Sequence, residues 1–417
     1  MLTQAPKGTR DLMPQEAYRW HHVEAIEREV AAQFGFEEVR TPIFEHTELF
    51  LRSVGDTTDI VQKEMYTFTD KGERSITLRP EGTAGVARAF VEHKLFNEPL
   101  PAKMFYLSYP VFRYENPQSG RLRQHHQFGV EVYGAQDAAC DAEVILLAAT
   151  VLSRLGIGNL TLKINSIGCP ECRARYNQAL KDFLGARLNS LCKTCQERFE
   201  RNPLRILDCK ESACQAQLDG VPTMLEYLCD DCKAHFDKLQ GLLAAAGQPA
   251  VVDPFIVRGL DYYTRTVFEF VADLNGPLTV CGGGRYDGLM EQVGGPALPG
   301  MGFGMGIERL LMAMDTLGIA IDKPVLTEVF LCGMGEAAVA KCFTLTDQLR
   351  RQGVRAQCDL MGRSLKAQLK YANKQGCPFT AILGEDEMNR GVIKLKDMAA
   401  HTEEDVPFDQ LAERIRR

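Results

Sequence analysis

At 417 residues, with 45% hydrophobic and 25% charged side chains, the chain is long enough for two or three packed domains and has neither a disordered nor a fibrous composition. A formal net charge of −7 and a pI near 5.7 exclude a protein coated in basic charge, while leaving room for a local basic face. The sequence has no apolar run long enough for a bilayer and no apolar signal core in MLTQAPKGTRDLMPQEAYRW, so a cytoplasmic protein is expected.

In chain order, PQEAYRWHHVEAIEREVAAQFG carries Trp20, Val23, Ile26, Val30 and Phe34 at helical spacing. It predicts an amphipathic helix ended by Gly35. FEEVRTPIFE predicts a strand stopped by Pro42. MYTFTDKGERSITLRPE predicts a hairpin turning at Lys71-Gly72, and EGTAGVARAFVEH the helix after it. YPVFRYENPQSGRLRQHHQFGVEVYG predicts a second hairpin. From about 169 to 247 the chain is helical in pattern, rich in cysteine and poor in strand signals, as an insertion would be. Strands return at FIVRGLDYYTRTVFEFV and GPLTVCGGGRYDG, and PGMGFGMGIERLLMAMDTLG runs from strand into helix. The expectation is an α+β fold, an antiparallel sheet with helices packed on it, over residues 1–322. Beyond Asp322-Lys323-Pro324, strand and helix patterns alternate, predicting a small α/β domain over 325–417.

Alternate strand residues share a face. In the second hairpin this groups Val111, Arg113 and Glu115, and then Gln127, Gly129, Glu131 and Tyr133, while Phe128, Val130 and Val132 make an apolar face for helices. In the later strand Gly300, Gly302, Gly304 and Gly306 alternate with Met301, Phe303 and Met305. A row of glycines exposes bare backbone at a cost in strand stability, which suggests close approach by something flat. Tight sheet–helix packing is the other reading. Arg309 follows in the first turn of a helix, against the helix dipole. Arginine forks bind phosphates and stack on bases. No Walker or dinucleotide fingerprint is present, so a bound ATP would sit on an antiparallel sheet.

These residues resemble the class II aminoacyl-tRNA synthetases. VFRYE with RLRQHHQFGVE resembles motif 2, GMGFGMGIERL motif 3, and the helix and strand ending at RTPIFE motif 1, which dimerises the family. RGLDYYTRTVFEF, GGGRYDGL and LRPEGT are similar to segments of histidyl-tRNA synthetases, of bacterial type, and the likeness covers almost the whole chain. The resemblance implies a catalytic domain with a helical insertion and a C-terminal anticodon-binding domain. It implies activation of L-histidine with ATP and Mg2+, transfer to histidine tRNA, and a homodimer. It places Arg113 on the α-phosphate, Glu115 at the adenine amino group, Arg121 on the distal phosphates, and Arg309, His125 and Gly304 around adenine. Glu81, Thr83 and Gln127 would hold the α-amino group. Glu131 and Tyr263 would bracket the imidazole, Tyr262 and Tyr286 would shape its pocket, and Arg258 would stabilise charge at the reacting phosphate. Gln118 and Arg123 would meet the tRNA acceptor end, and Arg363, Lys366, Lys370 and Lys374 would present a basic helix face to the anticodon. Many members carry Phe where this chain has His125, so adenine stacking there is expected to become pH-sensitive.

The resemblance does not cover the cysteines. Cys169-x-x-Cys172 and Cys192-x-x-Cys195 have a zinc-ribbon separation. They are expected to share one zinc, with Cys209, Cys214, Cys229 and Cys232 as a second set. The alternative is reduced thiols packed in helices; the other six of the fourteen cysteines read as packing residues. Two other functions compete. One is a catalytically inactive regulatory subunit of an ATP phosphoribosyltransferase, a class that usually lacks the C-terminal domain and key arginines. The other is a synthetase for a different amino acid, against which Glu131 and RGLDYY argue.

Overall fold

A computed structural model describes residues 3–55, 58, 60–117, 120 and 122–416. The chain divides into two compact units, 1–321 and 322–417. Among the described residues no helix is long and apolar enough to cross a membrane.

The first unit runs α1 (Pro14–Gln33), β1 (Glu37–Glu38), β2 (Phe44–His46), α2 (Thr47–Val54), β3 (Tyr66–Thr69), β4 (Ser75–Leu78), α3 (Thr83–Glu92), β5 (Ala102–Phe112), β6 (Gln124–Tyr133), α4 (Ala138–Arg154) and β7 (Leu160–Ser166). The insertion follows with α5 (Pro170–Gly185), α6 (Lys193–Arg201), α7 (Ser212–Gln215) and α8 (Asp230–Ala245). The unit closes with β8 (Val251–Val252), β9 (Thr264–Asp273), β10 (Pro277–Arg285), α9 (Leu289–Gln292), β11 (Gly300–Gly306) and α10 (Ile307–Thr316). Eight strands form one sheet in the order β1-β5-β6-β11-β10-β9-β7-β8. It is antiparallel except at its two edges, where β1 and β8 pair in parallel.

The alternation read from sequence sets the layers. Phe128, Val130 and Val132 from β6 and Met301, Phe303 and Met305 from β11 enter one core with Trp20 of α1, Leu147 of α4, Leu239 of α8 and Leu310 of α10. The opposite face carries a second core built from Tyr106, Tyr133, Tyr262, Tyr263 and Tyr286 under Val86 and Phe90 of α3. Over these residues both faces of the sheet are covered.

One predicted strand divides. FEEVRTPIFE gives β1 in the large sheet and β2 in a separate three-stranded sheet ordered β2-β4-β3. The cause is Arg79, only 4% exposed, whose Nη1 donates to the carbonyls of Thr41 (3.0 Å) and Pro42 (3.1 Å) while its guanidinium lies over the Tyr109 ring. FIVRGLDYY is likewise not strand; β9 starts only at Thr264. Helix α4 and strand β7 lie between the second hairpin and the insertion. There a fully buried Arg285 joins three elements. Its Nε donates to Asp141 of α4 at 2.8 Å, and the other Asp141 oxygen meets His235 of α8 at 2.8 Å.

The second unit holds a five-stranded sheet, β13-β12-β14-β15-β16, made of β12 (Val329–Gly333), β13 (Ala356–Cys358), β14 (Phe379–Leu383), β15 (Val392–Asp397) and β16 (Glu403–Pro407). The first three strands are parallel and the last two antiparallel. Helices α11 (Glu336–Arg351), α12 (Leu365–Lys374), α13 (Glu385–Arg390) and α14 (Leu411–Arg416) complete it. Lys366, Lys370 and Lys374 are exposed on α12. Arg363, just ahead of that helix, is tied to Asp359 at 2.6 Å and lies over the Tyr371 ring.

Candidate active site

The expected polar face of the second hairpin is closed at its Glu131 end. Glu131 is fully buried and is met by three hydroxyls: Thr83 Oγ1 donates at 2.8 Å, Tyr106 at 3.2 Å, and Tyr286 bonds the second carboxylate oxygen. Burial pushes the Glu131 carboxyl up to about 8, and the hydroxyl bonds only partly offset it. Glu81, two residues before α3, accepts the backbone N–H of Thr83 (2.7 Å) and Ala84 (2.8 Å), so it fastens the helix start. Its carboxyl is also raised, by burial. Tyr262 and Tyr263 pack edge-on against Tyr286, with centroids 5.5 and 6.4 Å apart.

Glycines make room for this cluster. A Cβ on Gly129 would lie 2.2 Å from the Tyr106 ring, and one on Gly302 would lie 2.3 Å from Glu131. The glycine row of β11 thus divides by task. Gly300 and Gly302 admit Tyr286 and Glu131, while Gly304 and Gly306 line an open cavity.

That cavity, about 900 Å³, gathers Arg113, Glu115, His125, Gln127, Arg258 and Arg309. It is large enough for a nucleotide. Arg113 is braced by the Pro80 carbonyl at 2.8 Å, and Arg309 by the Thr279 carbonyl at 2.7 Å. The Arg258 guanidinium rests on Gly282, where a Cβ would lie 2.5 Å away, and pairs with Glu269. Its Nε is buried without a hydrogen-bond partner among the described residues. Gln127 and Arg258 sit on the cavity wall, and Arg258 also reaches toward Tyr263, whose ring centroid is 5.8 Å away. Arg258 therefore links the cavity to the tyrosine cluster around Glu131.

Two expectations change. Burial, with Arg113 next in effect, drives His125 down to about 3, which in the ligand-free chain favours a neutral ring over the pH-sensitive one expected. Arg123 folds back, its guanidinium 4.1 Å from the Tyr114 ring centroid and its Nε donating to the Glu115 carbonyl at 3.0 Å, and so braces the hairpin. Gln118 and Arg121 lie outside the described residues. Three residues were not foreseen from sequence. Tyr106 sits over two glycines, Gly82 and Gly129, and those glycines were its signal. Glu269, lone charge of an apolar strand run, was visible as such. Glu308, in the first turn of α10, lines the cavity and accepts the His126 amide and ring at about 3 Å.

The model of the histidyl-tRNA synthetase family matches residues 8–310, and that of the anticodon binding domain residues 328–417. The chain belongs to the histidyl-tRNA synthetase family. It is 56% identical over 412 residues to the histidine–tRNA ligase of Alkaliphilus oremlandii, covering 99% of this chain and 98% of that protein. It is 52% identical over 417 residues to that of Caldanaerobacter subterraneus subsp. tengcongensis, covering all of both. The crystal structure of apo Staphylococcus aureus histidyl-tRNA synthetase superposes with a TM-score of 0.85 at 37% identity, over 99% of this chain and 100% of that one. The fold is thus the class II synthetase one expected, an antiparallel-rich catalytic sheet with helices and a separate C-terminal anticodon-binding domain.

The cysteine sets expected from spacing are wrong. Cys169, Cys172, Cys229 and Cys232 converge in one cluster, and Cys192, Cys195, Cys209 and Cys214 in another, with all sulfurs of a cluster within 4.8 Å of one another. The reason is α5. The 13 residues of α5 that follow Cys172 carry the chain roughly 20 Å away from it, and the chain comes back to that cluster only at the start of α8.

Glu131 gives a pH test. The unfolded chain loses this proton near 4.5, while the folded chain keeps it to about 8. The stabilising effect is whole below the lower value and is lost as pH rises through the upper one. Thermal unfolding of the ligand-free protein is expected to show a component falling with pH across that window, at most about 1.4 kcal/mol per pH unit. Glu131→Gln should remove it. Parallel pH profiles for the two proteins would refute the assignment.

Proposed function

We propose that this protein is a histidine–tRNA ligase, forming histidyl-adenylate from L-histidine and ATP and transferring the histidyl group to the 3′ end of histidine tRNA. The observation that carries this reading is a buried carboxylate ringed by hydroxyls directly behind a nucleotide-sized, arginine-lined cavity. Glu131 accepts the imidazole N–H, and Tyr263 serves the other ring nitrogen. A site that satisfies both nitrogens rejects side chains lacking them, since its own polar groups would be left unpaired. Tyr262 and Tyr286 shape the pocket. Glu81, Thr83 and Gln127 hold the α-amino group.

ATP lies in the open cavity on Gly304. Arg113 holds the α-phosphate, Glu115 takes the adenine amino group, Arg309 and neutral His125 pack on the base, and Arg121 reaches the distal phosphates. Glu269 and Glu308 offer hard oxygens at the wall, the ligands Mg2+ prefers, and that ion neutralises phosphate charge when bound. The histidine carboxylate attacks the α-phosphorus and pyrophosphate leaves. A tRNA hydroxyl then attacks the carbonyl and AMP leaves. No side-chain nucleophile is required, and catalysis is positioning plus charge stabilisation by Arg113 and Arg258. The two thiol clusters would hold the structural zinc suggested by sequence. The inactive regulatory reading fits less well, because Glu81, Arg113, Arg258 and Arg309 are all in place and the relatives named as ligases match the whole length.

Domain limits near 1–322, with the insertion at 169–247, and 325–417 belong to the same reading, as do tRNA contacts by Gln118 and the exposed lysines of α12, and a cytoplasmic location. Arg123 is better placed to hold the hairpin for tRNA than to touch it.

Arg258→Ala should fold normally and lower histidine-dependent ATP–pyrophosphate exchange by about 10²–10³-fold or more. Exchange near the parent rate removes Arg258 from catalysis. A truncation ending at Asp322 should retain exchange with histidine yet lose most aminoacylation efficiency through weaker tRNA binding. Unchanged charging of histidine tRNA would defeat the anticodon assignment. The full chain should also form a homodimer through α1 and the strand after it. A mass of one 46.5 kDa chain by light scattering at micromolar concentration would exclude that.

A further inference from the structure

The segment Cys169–Cys232 has its own small core, in which Tyr176, Leu180, Phe199 and Ile206 pack with five of the cysteines. Its elements after α5 are short; α6 has 9 residues and α7 has 4. Units below about 70 residues rarely stabilise themselves by burial alone and commonly need a staple. No disulfide supplies one here, since all the cysteines are free. In the first cluster Cys169 Sγ lies 3.5 Å from Cys172 Sγ and 4.0 Å from Cys229 Sγ, and in the second Cys192 Sγ lies 3.9 Å from Cys209 Sγ. A disulfide needs about 2.05 Å. A tetrahedral zinc with bonds of about 2.3 Å puts its sulfurs about 3.8 Å apart.

Backbone geometry also prepares each cluster for thiolates. Cys169, Cys192 and Cys229 are the N-cap residues of α5, α6 and α8, so each Cys-x-x-Cys pair sits at a helix start, where N–H dipoles favour negative sulfur. The Cys229 amide donates to Cys172 Sγ at 3.0 Å, and the Cys192 amide to Cys214 Sγ at 3.1 Å. Apolar packing of thiols would not require amides aimed at sulfur.

Both clusters also adjoin the segment that bears Arg258, Tyr262 and Tyr263. Gly168, next to Cys169, accepts the Arg265 amide at 2.9 Å, and Arg173, next to Cys172, donates to the Tyr263 carbonyl. From the second cluster's side, Asn202 donates to Asp261 at 2.8 Å and Arg205 to the Gly259 carbonyl at 3.0 Å. That segment has little regular structure of its own. Cys192 and Cys209 themselves line the cavity wall.

We propose that each chain holds two zinc ions, one in the cage Cys169/Cys172/Cys229/Cys232 and one nested within it in the cage Cys192/Cys195/Cys209/Cys214, and that these cages clamp the 258–265 segment. All four positions of each ion are filled by protein sulfur, so the ions are structural and leave no site for substrate. The consequence for catalysis rests on the function proposed above; the metal sites do not.

Elemental analysis of the full chain purified without chelator tests the stoichiometry, with two zinc per chain expected. Paired substitutions test the partition. Cys169→Ser with Cys229→Ser, or Cys192→Ser with Cys209→Ser, should each leave one zinc, whereas Cys169→Ser with Cys192→Ser should leave none. Hydrogen exchange reads the clamp: stripping zinc should speed exchange at the Arg265 amide at least tenfold and raise the KM for histidine in pyrophosphate exchange by a similar factor, both reversed by added zinc. A metal-free protein with all eight thiols freely reactive would overturn the proposal, as would iron in place of zinc. A Cys169/Cys192 double variant that keeps one ion would overturn the partition. Unchanged exchange at Arg265 after zinc removal would overturn the clamp. The count on the unmutated chain stands even where a variant fails to fold.

Discussion

A carboxyl group buried in the middle of a sheet must find hydrogen-bond partners, or its burial would cost more than any neighbouring contact returns. Glu131 sets that constraint here. Three hydroxyls from three different parts of the chain converge on it, and the two tyrosines need space that side chains on neighbouring strands would occupy. Gly129 and Gly302 supply that space. Thr83 is placed because Glu81 fastens the start of α3. Much of the unusual sequence of this unit, from the glycine strand to the tyrosine pairs, follows from keeping one ionisable group satisfied without water.

The same constraint separates the site into two environments. Behind the sheet's surface the groups are buried and their protonation is governed by desolvation, as for Glu131 and Glu81. In front, arginines are braced by backbone carbonyls rather than by carboxylates alone, as with Arg113 on Pro80 and Arg309 on Thr279. A guanidinium held by neutral acceptors keeps its charge available to a phosphate. Arg258 stands at the boundary and has one buried donor still without a partner among the described residues.

How far the sequence could be read depended on the range of the forces involved. Strand alternation is local, so the two-residue period alone assigns Phe128, Val130 and Val132 and their partners Met301, Phe303 and Met305 to a core. The motifs carried the family, and with it most of the cavity lining. What failed was set by distant partners. FEEVRTPIFE broke in two because Arg79, just past the end of β4, takes the carbonyls at its middle. Arg123 was assigned outward because its partner, the Tyr114 ring, could not be told from spacing. His125 looked titratable because its desolvation and the nearness of Arg113 are tertiary properties. The cysteine pairs were matched by proximity in sequence, whereas helix length decides which of them meet.

The nesting of the two thiol clusters also bears on how the insertion comes into being. The inner set spans only Cys192 to Cys214, while the outer one must bring the chain after Cys172 back to Cys229. Loop-closure entropy grows with the logarithm of loop length, and short-range contacts form sooner. Closure of the inner ring then shortens the loop that the outer ring has still to close. During synthesis the order runs the same way, because all four inner cysteines are joined to the chain before Cys229 and Cys232. Loop closure therefore favours assembly from the centre outward, with the contact between Gly168 and Arg265, which lies beyond the last cysteine, the longest in range.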